Sequence, residues 1–397
     1  MALWKLNPMD FTKMNPTRQA KIEEAPAKAL PATDSYVPNK IANALHPKVQ
    51  YLKVAKIADH GDAKTFWLEA DAAKGTEKLA WFSAGQYLSV SLEIGSMKLS
   101  RPYSLSSSPK EALEGFYMLT VKKVEGGLAS TYILDNWTVG TEVTASAPLG
   151  VFTYEPLRDA KTVIGVAGGS GITPFRSLAK AIADGDEDAD LVLLYGSRTM
   201  NDAIFQEEFK ALEASFPRFK LVNVLSHETC EGCENGFITA DLIRKYAPAG
   251  DYSIFLCGPQ AMYEFVDKEI ATLGLRRKFI RHELFGEYFN PAKEADYPKD
   301  VAPSFKLTVR MAGQEQTVDA PADTSLLRTL EANGIAAPAH CRSGECGWCH
   351  SKLISGEVYT PKSVDGRREA DYLYGYIHPC CSFPLSDVTI EVPPVAK

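Results

Sequence analysis

Three thiols fall within nine residues, Cys341-Arg-Ser-Gly-Glu-Cys346-Gly-Trp-Cys349, and two more follow as the adjacent pair Cys380-Cys381. C-x4-C-x2-C with a distant fourth cysteine is the ligand spacing of one kind of [2Fe–2S] centre, in which each iron takes two thiolates. Gly344 and Gly347 suit a loop wrapped round such a centre, because glycine tolerates positive φ and lets backbone N–H groups approach sulfur. A structural zinc ion would call for paired cysteine knuckles or a cysteine–histidine mixture, and two adjacent cysteines chelate one ion poorly. Spacing alone leaves the fourth ligand open between Cys380 and Cys381.

Glycine-rich turns supply a second kind of chemistry. Gly168-Gly169-Ser-Gly171-Ile-Thr173-Pro174 follows the apolar run TVIGVA and opens a helical pattern, the arrangement that aims backbone N–H groups at a pyrophosphate. Gly126-Gly127-Leu-Ala-Ser130 also precedes a helical stretch and offers another anion site. Arg101-Pro-Tyr103-Ser104 ends a β-run. A flat aromatic, a hydroxyl donor and a cation are what an isoalloxazine ring and its phosphate require, and alternate strand residues face one ligand. Arg198, after the second strand of the same region, can meet a 2′-phosphate or face solvent, so NADH and NADPH both stay open. Cys230-Glu-Gly-Cys233, with His227 before it, has redox or zinc spacing but lies in a polar stretch and reads as a plain loop. Asp202, Glu207 and Glu208 read as a solvated helix face.

These residues need several domains to position them, and 397 residues suffice for two or three. Residues 1–47 carry six prolines and read as an extended, proline-rich arm. Short β-rich runs over 48–156 (YLKVAKI, KTFWLEA, QYLSVSLE, FYMLTVKKV, TEVTAS) predict a small antiparallel barrel. Over 157–286, strands alternate with helices, which predicts an α/β domain with a parallel sheet. A proline-rich linker, 287–303, leads to a third domain, 304–397, with two strands, a helix and the cysteine segment. A net charge of −7 argues against a nucleic-acid partner. No apolar run is long enough for a membrane span and no secretory signal opens the chain, so the expected location is cytoplasmic.

The segments HCRSGECGWCHSKLISGEV and GYIHPCCSFPLSDVTIEV resemble a plant-type ferredoxin domain, which has an α+β β-grasp fold and occurs fused to flavoprotein reductases. R-P-Y-S, G-G-x-G-I-T-P and C-G-P-x-x-M, in that order, resemble the signatures of the ferredoxin–NADP reductase superfamily, and the likeness covers about residues 48–397. It implies that Tyr87, Arg101, Tyr103, Ser104, Gly126, Gly127, Ser130 and Phe285 hold a flavin. Gly168, Gly169, Gly171, Thr173, Pro174, Arg198, Cys257, Gly258, Pro259 and Met262 would hold the nicotinamide dinucleotide. Ser104, Cys257 and Glu283 would stand at the reacting atoms. Matching Pro384, Ser386 and Asp387 to the family's C-x-x-x-P-x-S-D selects Cys380, with Cys341, Cys346 and Cys349, as cluster ligand. FAD is expected over FMN, because the Gly126–Ser130 loop offers a second phosphate site. The implied activity passes a hydride from NAD(P)H to flavin and single electrons through the cluster to a redox partner, such as an oxygenase, a hybrid-cluster protein or another reductase component. The alternatives are a redox-responsive regulatory module, or a subunit running electrons toward NAD(P)+.

Overall fold

A computed structural model describes residues 35–284 and 286–394, with scattered positions between 16 and 24. The chain separates into two units, residues 1–47 and 48–397. In the first, helix α1 (Val37–Leu45) corrects the expected extended arm at this point. Pro38 falls in its first turn, where a missing N–H breaks no helical hydrogen bond, so this proline starts a helix instead of ending one.

Among its described residues the second unit holds three large sheets and a fourth of two short strands. Strands β1 (Gln50–Asp59), β2 (Ala63–Ala70), β3 (Tyr87–Ile94), β4 (Met97–Ser104), β5 (Phe116–Lys122) and β6 (Glu142–Ala145) pair antiparallel in the order β4-β3-β6-β1-β2-β5. A bridge between Leu105 and Leu119 closes them into a barrel. Alternate residues such as Leu52, Val54, Phe66, Leu68, Leu88 and Val90 point inward and form its core. Helix α2 (Pro109–Leu113) starts at a Ser108/Glu111 capping box, and α3 (Leu128–Asn136) adds Ala129, Ile133 and Leu134 to the core.

Next come β7 (Thr162–Gly168), α4 (Thr173–Asp184), β8 (Asp190–Ser197), α5 (Gln206–Ser215), β9 (Phe219–Leu225), β10 (Glu234–Asn235), α6 (Ala240–Tyr246), β11 (Tyr252–Cys257), α7 (Gln260–Ala271) and β12 (Ile280–Glu283). All six strands are parallel, in the order β10-β9-β8-β7-β11-β12. Neighbouring strand residues serve opposite faces: Val163 and Leu193 pack under α4 and α5, Ile164 and Leu194 under α6 and α7. Strand order reverses at β7, so a crevice opens between the C-terminal ends of β7 and β11, where such sheets bind ligands.

The third sheet comprises β13 (Ser304–Met311), β14 (Gln314–Pro321), β15 (Ser351–Ser355), β17 (Tyr376–Ile377) and β19 (Val388–Glu391), ordered β14-β13-β19-β15-β17 with β13 and β19 parallel. Beside it run a two-stranded antiparallel sheet, β16 (Val358–Tyr359) with β18 (Phe383–Pro384), and helix α9 (Glu369–Tyr374). The sheet grips α8 (Leu326–Ala332) through Leu326 and Leu330 against Leu307, Val309 and Ile390. The loop from α8 to β15 carries Cys341, Cys346 and Cys349.

Candidate cofactor sites and the path between them

A cavity of about 1250 Å³ runs from the barrel across the crevice of the parallel sheet. Its barrel end is lined by Arg101, Tyr103 and Ser104 of β4 and by Gly126, Gly127 and Ser130 at the start of α3. Ser104 Oγ is buried, lines this cavity and has no hydrogen-bond partner among the described residues. A buried hydroxyl left so costs free energy unless a ligand pairs with it, and a flavin ring nitrogen is such a ligand. Gly127 must be glycine, since a Cβ would lie 2.8 Å from both Ser130 Oγ and Val124 Cβ. Ser130 Oγ holds the turn, accepting from Val124 N at 3.1 Å and donating to Gly127 O at 3.3 Å.

At the other end the glycine turn Gly168–Gly171 joins β7 to α4. A Cβ on Gly171 would stand 2.2 Å from Cys257 O, so only glycine lets the turn after β7 come this close to the end of β11, and one on Gly168 would stand 2.3 Å from the Met262 sulfur of α7. Cys257 is buried beside the cavity, and burial pushes its thiol well above its ordinary pKa, which keeps it neutral. The Tyr263 hydroxyl ties the end of β11 to β12, accepting from Gly258 N at 3.2 Å and donating to Glu283 O. Arg198 pairs with Asp202 at 3.0 Å, and both line the cavity.

Most residues expected at the flavin and the dinucleotide thus converge on one cavity, including Thr173, Gly258 and Pro259. Three do not line it. Tyr87, on β3 opposite Ser104, is buried with its ring against Gly150. Pro174 occupies the first turn of α4 inside the core. Glu283 is in register with Cys257 one strand further on, and its buried carboxyl is pushed well up in pKa, first by burial and then by Glu345 and Cys341. Phe285 lies outside the described residues. The solvated face expected at Asp202 and Glu208 is also corrected. Asp202 caps its own turn through Thr199, and Glu208 binds the buried Arg176 at 2.7 and 2.8 Å. Glu207 does face solvent. Cys230 and Cys233 sit in a turn closed by Cys233 N to Cys230 O at 3.2 Å.

Among the described residues no three Cys, His, Asp or Glu side chains gather as they would round a single ion. The thiols lie as two pairs, which is what a two-iron centre asks of its ligands. Cys346 N donates to Cys341 Sγ at 3.3 Å, and the Cys349 and Cys380 sulfurs are 3.4 Å apart. Cys381 instead directs its thiol to His378 O at 3.5 Å. Trp348 N donates to Cys346 Sγ at 3.5 Å, the kind of N–H···S bond that steadies a thiolate. Gly344, at φ 85°, is needed because a Cβ there would stand 2.0 Å from Val364 O. Cys346 and Trp348 are exposed, whereas the other three cysteines of the two pairs are buried.

The barrel and the cysteine loop meet directly. Ser100 Oγ donates to Ala339 O at 2.7 Å, and Arg342, next to Cys341, donates to Ser100 O at 3.3 Å. Arg342 also forks onto Glu331 at 2.6 and 2.8 Å and donates to Glu287. Arg101 stands 3.6 and 3.7 Å from the same two carboxylates. Sequence reading did not find Glu287, Glu331 or Arg342. Arg342 looks there like a spacer between cysteines, and nothing local marks its partners.

The donor sets fit FAD, a nicotinamide dinucleotide and a [2Fe–2S] cluster. Comparisons with known proteins agree. Residues 58–154 match the oxidoreductase FAD-binding domain, 166–268 the oxidoreductase NAD-binding domain, and 309–385 the 2Fe-2S iron-sulfur cluster binding domain. The chain is 33% identical over 319 residues to the ferredoxin reductase component of 3-ketosteroid-9-alpha-monooxygenase from Mycobacterium tuberculosis, covering 78% of this chain and 85% of that one. It is 29% identical over 309 residues to NADH oxidoreductase HCR of Escherichia coli, covering 78% and 88%. The solved structure of phthalate dioxygenase reductase superposes with a TM-score of 0.62 at 26% identity, over 87% of this chain and 98% of the other. The chain belongs to the ferredoxin–NADP reductase superfamily, in the branch that carries a plant-type [2Fe–2S] ferredoxin domain. It is an NAD(P)H:acceptor oxidoreductase that passes electrons through FAD and the cluster to a partner protein. When bound, the flavin supplies the conversion of a two-electron hydride donor into a source of single electrons. No helix among the described residues is long and apolar enough to cross a membrane.

Proposed function

We propose that this protein is the cytoplasmic reductase component of an oxygenase system, taking NADH in preference to NADPH. One observation carries the reading: the cavity lined by the unpartnered Ser104 hydroxyl lies on the same strand, β4, whose Ser100 docks the cysteine loop. A hydride site and a one-electron site are then neighbours. Relatives named as monooxygenase reductase components support the partner class.

In this reading Arg101, Tyr103, Ser104, Gly126, Gly127 and Ser130 hold FAD, with Tyr87 and Phe285 backing it. Gly168, Gly169, Gly171, Thr173, Pro174, Gly258, Pro259 and Met262 shape the pyrophosphate and nicotinamide site, and Cys257 and Glu283 stand beside the reacting ring. Cys341, Cys346, Cys349 and Cys380 ligate the cluster. The domain limits are 48–156, 157–286 and 304–397, with 1–47 an arm and 287–303 a linker. Asp202, held as a carboxylate beside Arg198, repels a 2′-phosphate and so favours NADH. Partners dock over exposed Cys346 and Trp348.

The test is reconstitution with a purified oxygenase component of the kind its relatives serve, following NADH oxidation and substrate oxygenation together. Coupled turnover with NADH supports the reading. Reduction of cytochrome c with no electron delivery to that oxygenase sinks the partner class.

A further inference from the structure

Arg342 follows Cys341 directly, is 1% exposed, and holds φ 62°, a left-handed conformation that side chains other than glycine seldom adopt. Its guanidinium reaches into three different parts of the chain: Glu331 on α8, Glu287 just after the parallel-sheet domain, and the carbonyl of Ser100 on β4. Arg328 adds a third cation, 3.4 Å from Glu287. Taking such charges out of water is costly, and apolar side chains of similar volume commonly hold two surfaces together as well. Adhesion between domains is therefore a poor reason for this cluster. Its location is a better one. Ser100 precedes Arg101, the first residue of the proposed flavin clamp, so the sequence β4 carbonyl, Arg342 guanidinium, Arg342 backbone, Cys341 sulfur is a short run of covalent and hydrogen bonds between the two cofactor sites.

We infer that Arg342, steadied by Glu287 and Glu331, is a positioning residue for electron transfer inside the protein, fixing the Cys341 side of the cluster loop against the flavin-bearing strand. The inference rests on Cys341 being a cluster ligand and β4 holding the flavin. One electron passes from reduced flavin to oxidised cluster at a time. Arg342 donates no proton and no bond breaks.

The experiment compares the full-length holoprotein with Arg342→Lys, which keeps the charge but not the fork, and Glu287→Gln, which is nearly isosteric. Flavin, iron and acid-labile sulfide are measured first. Absence of cluster in the unmodified protein would count against the assignment of the sites, separately from the role of Arg342. In both variants amide hydrogen exchange should quicken in segments 97–104 and 338–344 and stay unchanged in 162–184. After anaerobic mixing with NADH, flavin reduction should keep its rate, while reduction of the cluster, followed by its absorbance and EPR, should slow about tenfold to a hundredfold. Removing the Glu287 charge should also raise the cluster potential. A purely energetic role would then make Glu287→Gln faster, and a positioning role makes it slower. Faster or unchanged cluster reduction in Glu287→Gln overturns the inference, as does unchanged exchange at the junction. If Arg342→Lys fails to fold, Glu287→Gln decides alone.

Discussion

Two buried arginines dock other domains on the flavin barrel, and they do so in nearly the same way. Arg176 of α4 donates to the barrel carbonyl of Ser106 at 2.5 Å and to Glu111 and Glu208 at 2.7–3.1 Å. Arg342 donates to the barrel carbonyl of Ser100 and to Glu287 and Glu331. The charge balance differs. At the nucleotide-domain junction one arginine meets two carboxylates, one of them partly in solvent. Burial works against the Arg176 cation, but Glu111 and Glu208 outweigh it and its pKa ends above the usual value. At the ferredoxin-domain junction Arg101, Arg328 and Arg342 share two carboxylates that are 6% exposed. There burial, then the Arg101 charge, pulls Arg342 below its usual value. The same docking device is a satisfied anchor on one side and a site of surplus positive charge on the other, facing the cavity and the cysteine loop.

Removing the far side of the second junction should have the largest effect. Cys380→Ala should lose the [2Fe–2S] absorbance and EPR signal and drop cytochrome c reduction to background, while NAD(P)H-to-ferricyanide activity persists. Cys381→Ala should keep both signals, because its thiol turns to His378 O. The reverse outcome would put the register wrong by one residue. Next comes the first junction. Arg176→Met leaves Glu111 and Glu208 unpaired and should lower stability by about 3–5 kcal/mol, measured by urea denaturation with flavin fluorescence. Cluster reduction in the folded fraction should keep its rate, and if it slows like Arg342→Lys the two arginines are not distinct. Ser104→Ala acts in the cavity between them. It should slow flavin reduction by an amount equivalent to about 1–3 kcal/mol with flavin content retained, as stopped-flow absorbance would show. The smallest change is expected for Asp202→Ala. A partly exposed charge contributes little, so the NADPH/NADH ratio of kcat/KM should rise about twofold to fivefold. An unchanged ratio would remove Asp202 from nucleotide selection.

What the sequence made legible was local. The cysteine spacing, the two glycine turns and R-P-Y-S each encode their geometry within a few residues, and the alternating runs of β1, β2, β7 and β8 mark their own buried faces. The two junctions were not legible, because their partners are remote. Arg342 and Glu287 lie 55 residues apart, Arg342 and Ser100 lie 242 apart, and Arg176 and Glu208 lie 32 apart. Glu208 looked solvated because its helix is largely so; only the fold brings Arg176 beneath it. Tyr87 is expected at the flavin by resemblance alone, and nothing local in the sequence marks the packing of its ring against Gly150. Pro38 carried an ambiguous signal, since proline ends a helix from within and begins one from its first turn.

The cysteine loop has one face sealed by Arg342 and another where Cys346 and Trp348 reach the surface. Such a centre has an entrance and an exit on different sides, so an acceptor can approach without prising the ferredoxin domain from the barrel. Electron relays built as swinging carriers pay a diffusive delay on each cycle and slow in proportion to solvent viscosity. Here the internal hop should be indifferent to added glycerol or sucrose. Drag should be felt only where molecules arrive and leave, at the dinucleotide cavity and at the tryptophan-bearing face.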